Sequence, residues 1–236
     1  QGRQSYNAML VKVQKRFANR FAFQASYALQ RNLTNNYPVP GGTTQVWDLT
    51  NWRSSYGEDL AHHNFNFAGT VDLKWGFQFS VNSSFISRRP EGANVSGLVI
   101  PGTTPSTTTE PLPGIAWDSL NAGTSKSQLA AAVNAYNAKV PAAAQLALPS
   151  HYQFGDPIFS QDFRLTKKFT FRERYNLMIL GEMFNAFNIS NLQYGSFTID
   201  SASSASQAFG QPVQRTGQSL GQGGARAVQV GARVTF

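Results

Sequence analysis

Few residues in this chain could carry metal or nucleophile chemistry. There is no cysteine, which excludes thiolate ligands, disulfides and a thiol nucleophile. The histidines are His62, His63 and His151. His62 and His63 are adjacent at the start of an alternating segment. A strand there would send the two rings to opposite faces, so one metal ion could not take both without distortion. Solvated strand-end residues are the expectation. Asp48, Glu58 and Asp59 could offer oxygens to a hard cation, but their spacing matches no calcium loop. Gly221-Gln222-Gly223-Gly224 runs into a strand rather than a helix, so it lacks the helix N-terminus of a phosphate loop. Ser, His and Asp residues are scattered without register, and no strand-to-helix elbow is expected to present a serine. The chain reads as no enzyme, with no catalytic residue, metal or cofactor.

The segments that must position any functional side chain read as strands. The chain has 236 residues, is 41% hydrophobic and only 14% charged, and has a net charge of +8. Ordinary soluble domains carry about 25% charged residues. No run of about 20 apolar residues exists, which excludes a transmembrane helix. Low charge without apolar runs fits barrel strands, in which every second residue can be polar. Period-two alternation is explicit in Phe65, Phe67, Gly69, Val71, Leu73 and Trp75 against Asn64, Asn66, Ala68, Thr70, Asp72 and Lys74. It continues in Phe77, Phe79, Val81 and Phe85 after the short break at Trp75-Gly76, as in a hairpin. Met9, Val11, Val13 and Phe17 lead through Ala18-Asn19-Arg20 into Phe21, Phe23, Ala25, Tyr27 and Leu29. Phe163, Leu165 and Phe169 lead through a turn near 171–173 into Tyr175, Leu177, Ile179 and Met183. Val228, Val230, Ala232, Val234 and Phe236 close the chain.

This makes seven strands of roughly ten residues, enough to cross a bilayer at a tilt. Three short turns alternate with connections of about 33 residues (Gln30 to His62), about 70 (Arg89 to Ser160) and about 38 (Ala186 to Gly224), longer than compact soluble domains tolerate. One short helix is predicted inside the second connection, over Ser127 to Lys139, with Ser125 or Ser127 as N-cap and Pro141 as its end. Gly102 to Gly114 is close to low complexity, and nothing signals a second folded domain.

A soluble β-sandwich also has alternating strands. Loop asymmetry, the apolar terminus and aromatics at the strand ends (Phe17, Phe21, Trp75, Phe77, Phe169 and Tyr175) favour a membrane barrel. Its short turns would be periplasmic and its long loops extracellular. Lys15, Arg16, Arg20, Lys74, Lys167, Lys168, Arg172 and Arg174 cluster at the short turns, where they would meet anionic headgroups or simply solvent. They form no aromatic-interleaved patch for nucleic acid. No apolar signal segment follows Gln1, so the chain is expected to begin downstream of its natural N-terminus.

Several stretches resemble the C-terminal barrel segments of TonB-dependent receptors, with the Oar-like branch, whose members carry a carboxypeptidase-regulatory-like domain, as the nearest likeness. They are Tyr6-Asn7-Ala8-Met9, Lys15-Arg16-Phe17, Ala25-Ser26-Tyr27, His63-Asn64-Phe65, Asp162-Phe163-Arg164-Leu165-Thr166-Lys167 and, most specifically, Glu182-Met183-Phe184-Asn185-Ala186-Phe187-Asn188. The end, Gln229 to Phe236, is similar to the insertion signal read by the barrel assembly machinery, with Val230, Ala232, Val234 and Phe236 carrying it. The resemblance implies a bacterial outer-membrane barrel of about 22 strands with a plug in its lumen, driven through the TonB system. Residues 1–236 would be its C-terminal part, the last seven strands, with plug and N-terminal segments supplied by the same protein or other chains. The implied function is energy-coupled uptake of a solute; the alternative is a structural or adhesive surface protein on a barrel anchor.

Geometry then nominates the site residues. Inward positions Lys12, Gln24, Asn66, Asp72, Arg164, Glu182 and Arg233 would face lumen or plug, with Asp72, Arg164 and Glu182 the first candidates for pairing. A lipid-facing charge near the bilayer midplane would cost about 2–4 kcal/mol. Trp47, Trp52, Tyr56, Trp117 and Tyr152 are the loop aromatics expected to meet a ligand.

Overall fold

The alternating segments form seven long strands in the computed structural model, which describes residues 4–34, 37–38, 44–45, 57–99, 109–171, 175–204, 207–216 and 223–236. They are β1 (Gln4–Ala18), β2 (Phe21–Thr34), β3 (His63–Asp72), β4 (Phe77–Ile86), β5 (Ile158–Phe171), β6 (Tyr175–Phe184) and β7 (Ala227–Thr235). Each pairs antiparallel with its neighbour in sequence, so the sheet is one meander. Among the described residues β1 and β7 each have one partner, and the sheet is open. β1, β2 and β5 reach 15, 14 and 14 residues, longer than the alternation alone indicated.

Two of the short turns are visible. Asn19 (φ 53°) and Arg20 (φ 72°) join β1 to β2; Trp75 (φ 59°) and Gly76 (φ 74°) join β3 to β4. Positive φ at both central residues is the type I′ geometry, whose twist matches that of the flanking strands. The third turn, with Arg172 and Arg174, lies outside the described residues.

Register sorts the side chains into two faces. One cross-strand row is Phe23, Gly69, Val81, Phe163, Met183 and Val228; another is Tyr27, Phe65, Phe85 and Phe159. The opposite face carries the row Ala22, Thr70, Ser80, Arg164, Glu182 and Gln229, and the row Lys12, Ser26, Asn66, Ser84 and Ser160. The apolar face is uncovered: Val11, Leu165, Ile179 and Val230 are 46%, 46%, 41% and 78% exposed. A soluble monomer seldom leaves so continuous an apolar surface in water.

The long connections, in which the sequence signalled one short helix and no second folded domain, pack together more extensively than that. The second and third share a hydrophobic core that includes Val95, Leu112, Leu120, Leu129, Ile199 and Phe209. Asn94–Ser96 pairs antiparallel with Thr109–Pro111, inside the segment read as low complexity, and parallel with Thr198–Ile199. The helix α1 (Lys126–Asn137) starts at Ser125. The Ser125 hydroxyl accepts from the Gln128 amide, and the Gln128 side chain accepts from the Ser125 amide, which closes a capping box. α1 buries Leu129, Val133 and Tyr136 on one face. In the first connection, Gly57–Glu58 folds back onto the end of β2.

Candidate functional site

The seven polar positions nominated above fall on one face of the sheet. Lys12 and Asn66 share a row, and Arg164 and Glu182 are direct cross-strand partners. Gln24 lies one row further along, between Gln14 and Ala68. Asp72 and Arg233 are near the short-turn end, where the Gln78 amide donates to Asp72 Oδ1 at 2.8 Å. The face is therefore mostly polar, interrupted by Leu10, Ala28, Ile86 and Ile158 in one row and by Met178, Leu180 and Phe184 on β6. Of the seven, only Arg164 and Glu182 form a cluster.

That cluster is built from three strands. Glu182 is 8% exposed. Arg164 Nε donates to its Oε1 at 2.5 Å, with a second ion-pair contact from Nη2, and Gln229 Nε2 donates to its Oε2 at 2.7 Å. Both carboxylate oxygens are thus occupied. The arrangement holds β5, β6 and β7 in register while the half-exposed guanidinium stays available to a partner above the sheet. A small cavity of about 190 Å³ beside it is lined by Ser80, Asn82, Asp162, Arg164, Glu182 and Phe184.

Asn185 and Asn188, in the stretch that carries the resemblance, and Gln229 and Asn191 make contacts here that were not read from the sequence. Asn185, Asn188 and Asn191 recur every third residue and all take positive φ (43°, 52° and 43°). Asparagine tolerates that conformation better than bulkier residues do. Asn185, 2% exposed, donates to the carbonyls of Ile189 (2.8 Å) and Gly224 (2.5 Å), and its amide donates to Asp162 Oδ1 at 2.8 Å. Asn191, also 2% exposed, donates to the carbonyls of Phe159 and Gly223 and accepts from the Phe159 amide. Asn188 Oδ1 accepts from Arg215. The Glu-x-Phe-Asn-x-Phe-Asn stretch is accordingly a clamp: its glutamate fixes strand register, and its asparagines fasten the third connection to the sheet. The three-residue repeat of Asn was the signal available in sequence.

The nominated loop aromatics divide. Trp47, Trp52 and Tyr56 lie outside the described residues, as does Asp48. Trp117 is half-buried in the loop unit. The Tyr152 ring packs at 5.9 Å from Phe154 and 5.5 Å from Phe209, with Lys126 Nζ 4.7 Å above it. It is committed in part to the loop core. The loop unit also holds a cavity of about 660 Å³ along α1, walled by Ile115, Ala132, Tyr136 and Val140 with Gln128 and Lys139 as polar neighbours.

Burial raises the tyrosine pKa of Tyr152, and that of Tyr194, where the adjacent Asp156 adds to the effect. Burial also lifts Glu91 to about 7, with Arg89 opposing and Asp118 reinforcing.

His62 does not stand free as its position suggested: its Nε2 pairs with Glu58, whose other oxygen accepts from Arg31 Nε at 2.6 Å. Both oxygens of Glu58, 5% exposed, are thus engaged. The Asp59 carboxylate accepts from Asn32, and His63 contacts Tyr27 Oη at 2.8 Å. Among the described residues no cluster of three His, Asp or Glu could hold a metal. Gly217-Gln218-Ser219-Leu220-Gly221 has the Gly-x-Ser-x-Gly spacing, but residues 217–222 lie outside the described ones, and the next described element is β7 rather than the helix an elbow requires.

Val230, Ala232 and Val234 stand on the apolar face opposite Gly181, Ile179 and Leu177, and Phe236 is 92% exposed. The sequence matches the family described as "Outer membrane beta barrel domain" over residues 1–229. No curated protein and no solved structure matches it.

Proposed function

The chain belongs to the outer membrane β-barrel domain family, and from that premise we propose that it is the C-terminal barrel portion of a TonB-dependent receptor that imports a solute. The observation that carries this reading is the open meander. Seven strands pair in sequence order, yet β1 and β7 keep one unpaired edge each among the described residues. An unpaired strand edge cannot persist in hydrocarbon, where every backbone group needs a partner. Further strands must close the wall, in the same protein or from other chains. The polar face, with Arg164 half-exposed above a saturated Glu182, suits a lumen filled by water or a plug. In this arrangement the long connections and their packed loop unit are extracellular, and the short turns and Phe236 are periplasmic. The barrel assembly machinery would read the terminal strand, and the TonB system would act through the plug. This reading assigns no catalytic role and no cofactor to the described residues.

Uptake by whole cells tests the proposal. Cells with and without the intact protein are given labelled ferric siderophore, cobalamin, oligosaccharide and peptide. Accumulation of one of them that requires the protein and stops when the proton gradient is dissipated is expected. Binding of a surface polymer with no energy-dependent uptake of any would favour an adhesive anchor instead.

A further inference from the structure

Charge is distributed unevenly between the two ends of the sheet. Segments 15–21, 72–78 and 167–176 hold eight lysines and arginines against two carboxylates, so six of the net eight positive charges fall within these three segments. The long connections are close to neutral, with seven cations and eight carboxylates. Arg172 and Arg174 enter this count from sequence and lie outside the described residues.

Register decides which of the described cations can reach lipid. Lys15 is paired with Phe23, and Lys167 with Phe77 and Ile179, so both stand on the apolar face. Lys168 pairs with Met178 and belongs to the polar face. Lys15 Nζ sits 3.7 Å from the Phe21 ring centroid, and Lys167 Nζ sits 4.5 and 5.1 Å from those of Phe77 and Phe169. Arg20 and Lys74 occupy the two adjoining tight turns. The ion pairs among the described residues lie at Glu58 and Glu182, so no carboxylate neutralises these cations there. Between them Trp75 is 82% exposed and held at φ 59°, a conformation that bulky residues seldom take. Lys15 Nζ also donates to the carbonyls of Ala18 and Phe21, and Lys167 Nζ to that of Trp75, which holds both charges at the turns. A membrane interface is where an exposed indole and an uncompensated, ring-backed ammonium charge both find partners.

We propose that this rim of cations on an aromatic belt binds the phosphate-bearing headgroups of anionic phospholipids and so seats the short-turn end in a phospholipid leaflet. The inference rests on membership of the barrel family and not on transport, so failure of either leaves the other standing.

Native mass spectrometry of the intact protein folded in detergent tests it, with phosphatidylglycerol and phosphatidylcholine of the same acyl chains as probes. Retention of phosphatidylglycerol over phosphatidylcholine by about tenfold or more is expected at low salt, on the order of what two or more cations near a surface supply. The variant carrying Lys15→Gln, Arg20→Gln, Lys74→Gln and Lys167→Gln should bring the ratio close to one. Arg88→Gln with Lys139→Gln, in the loop unit, should leave it unchanged. In the unaltered protein the preference should fall steeply between about 50 and 500 mM salt and should survive millimolar inorganic phosphate. Equal retention of the two lipids, a salt-insensitive ratio, a preference that outlives the quadruple substitution, or its abolition by free phosphate would each overturn the proposal.

Discussion

Glu182 is buried to 8% exposure and still accepts from both Arg164 and Gln229. Removing a buried partner leaves the other charge uncompensated, but Arg164 is half-exposed and can rehydrate. Glu182→Ala should therefore cost about 1–3 kcal/mol, below the full penalty of a dry pair. Urea unfolding in lipid vesicles should show this, and Arg164→Ala should add little on top of it. Additive losses would mean that the two side chains act independently. Glu91 gives a pH signature. Burial raises its pKa from 4.5 to about 7, so the folded loop unit binds the proton more tightly than the unfolded one does. Stability from this group is fully present below about pH 4.5 and is lost as pH rises through 7. Hydrogen exchange at the Leu120 amide, bonded to the Glu91 carbonyl, should be better protected at pH 5 than at pH 8 after correction for intrinsic rate. Glu91→Gln should remove the difference. At this scale the sequence showed which side chains share a face, because alternation is a local rule. It did not show that His62 is held by Glu58, because that contact needs a loop to fold back onto β2.

At the scale of elements, hairpins and helix were legible for the same reason. Period two marks the strands, and the Asn19-Arg20 and Trp75-Gly76 breaks mark the turns. Ser125 followed by Gln128 marks the start of α1. The loop core was not legible. Val95, Leu129 and Ile199 are far apart in sequence and sit in segments of no regular period, so only the folded chain brings them together. The consequence is a loop unit with its own cohesion. Leu129→Ala, at a fully buried position, should cost about 2–5 kcal/mol. Ser125→Ala should cost about 1 kcal/mol through the lost cap. Limited proteolysis should then cut near α1 in the Leu129→Ala protein while heat-resistant migration of the strand region on a gel stays unchanged. Loss of both together would show that loop unit and sheet unfold as one.

The seven strands make a wall with one apolar and one mostly polar surface, pinned by a register that changes every side chain's face if it slips by one residue. The loop unit packs at the far end of this wall from the short turns. Membership of the barrel family places that wall in the outer membrane. In the proposed reading, barrel size and solute would depend on strands and a plug beyond the seven described, which local alternation cannot encode. Because the chain has no cysteine, single cysteines can be introduced without background labelling. Spin labels at Phe65, Val71, Phe79 and Val230 on one face, and at Asn66, Thr70, Ser80 and Gln229 on the other, would read both surfaces of the intact protein in lipid bilayers. Accessibility to dissolved oxygen and protection from a water-soluble nickel chelate are predicted for the first set, and the reverse for the second, alternating at every residue along β3. Equal chelate accessibility on both faces would contradict a membrane-spanning wall.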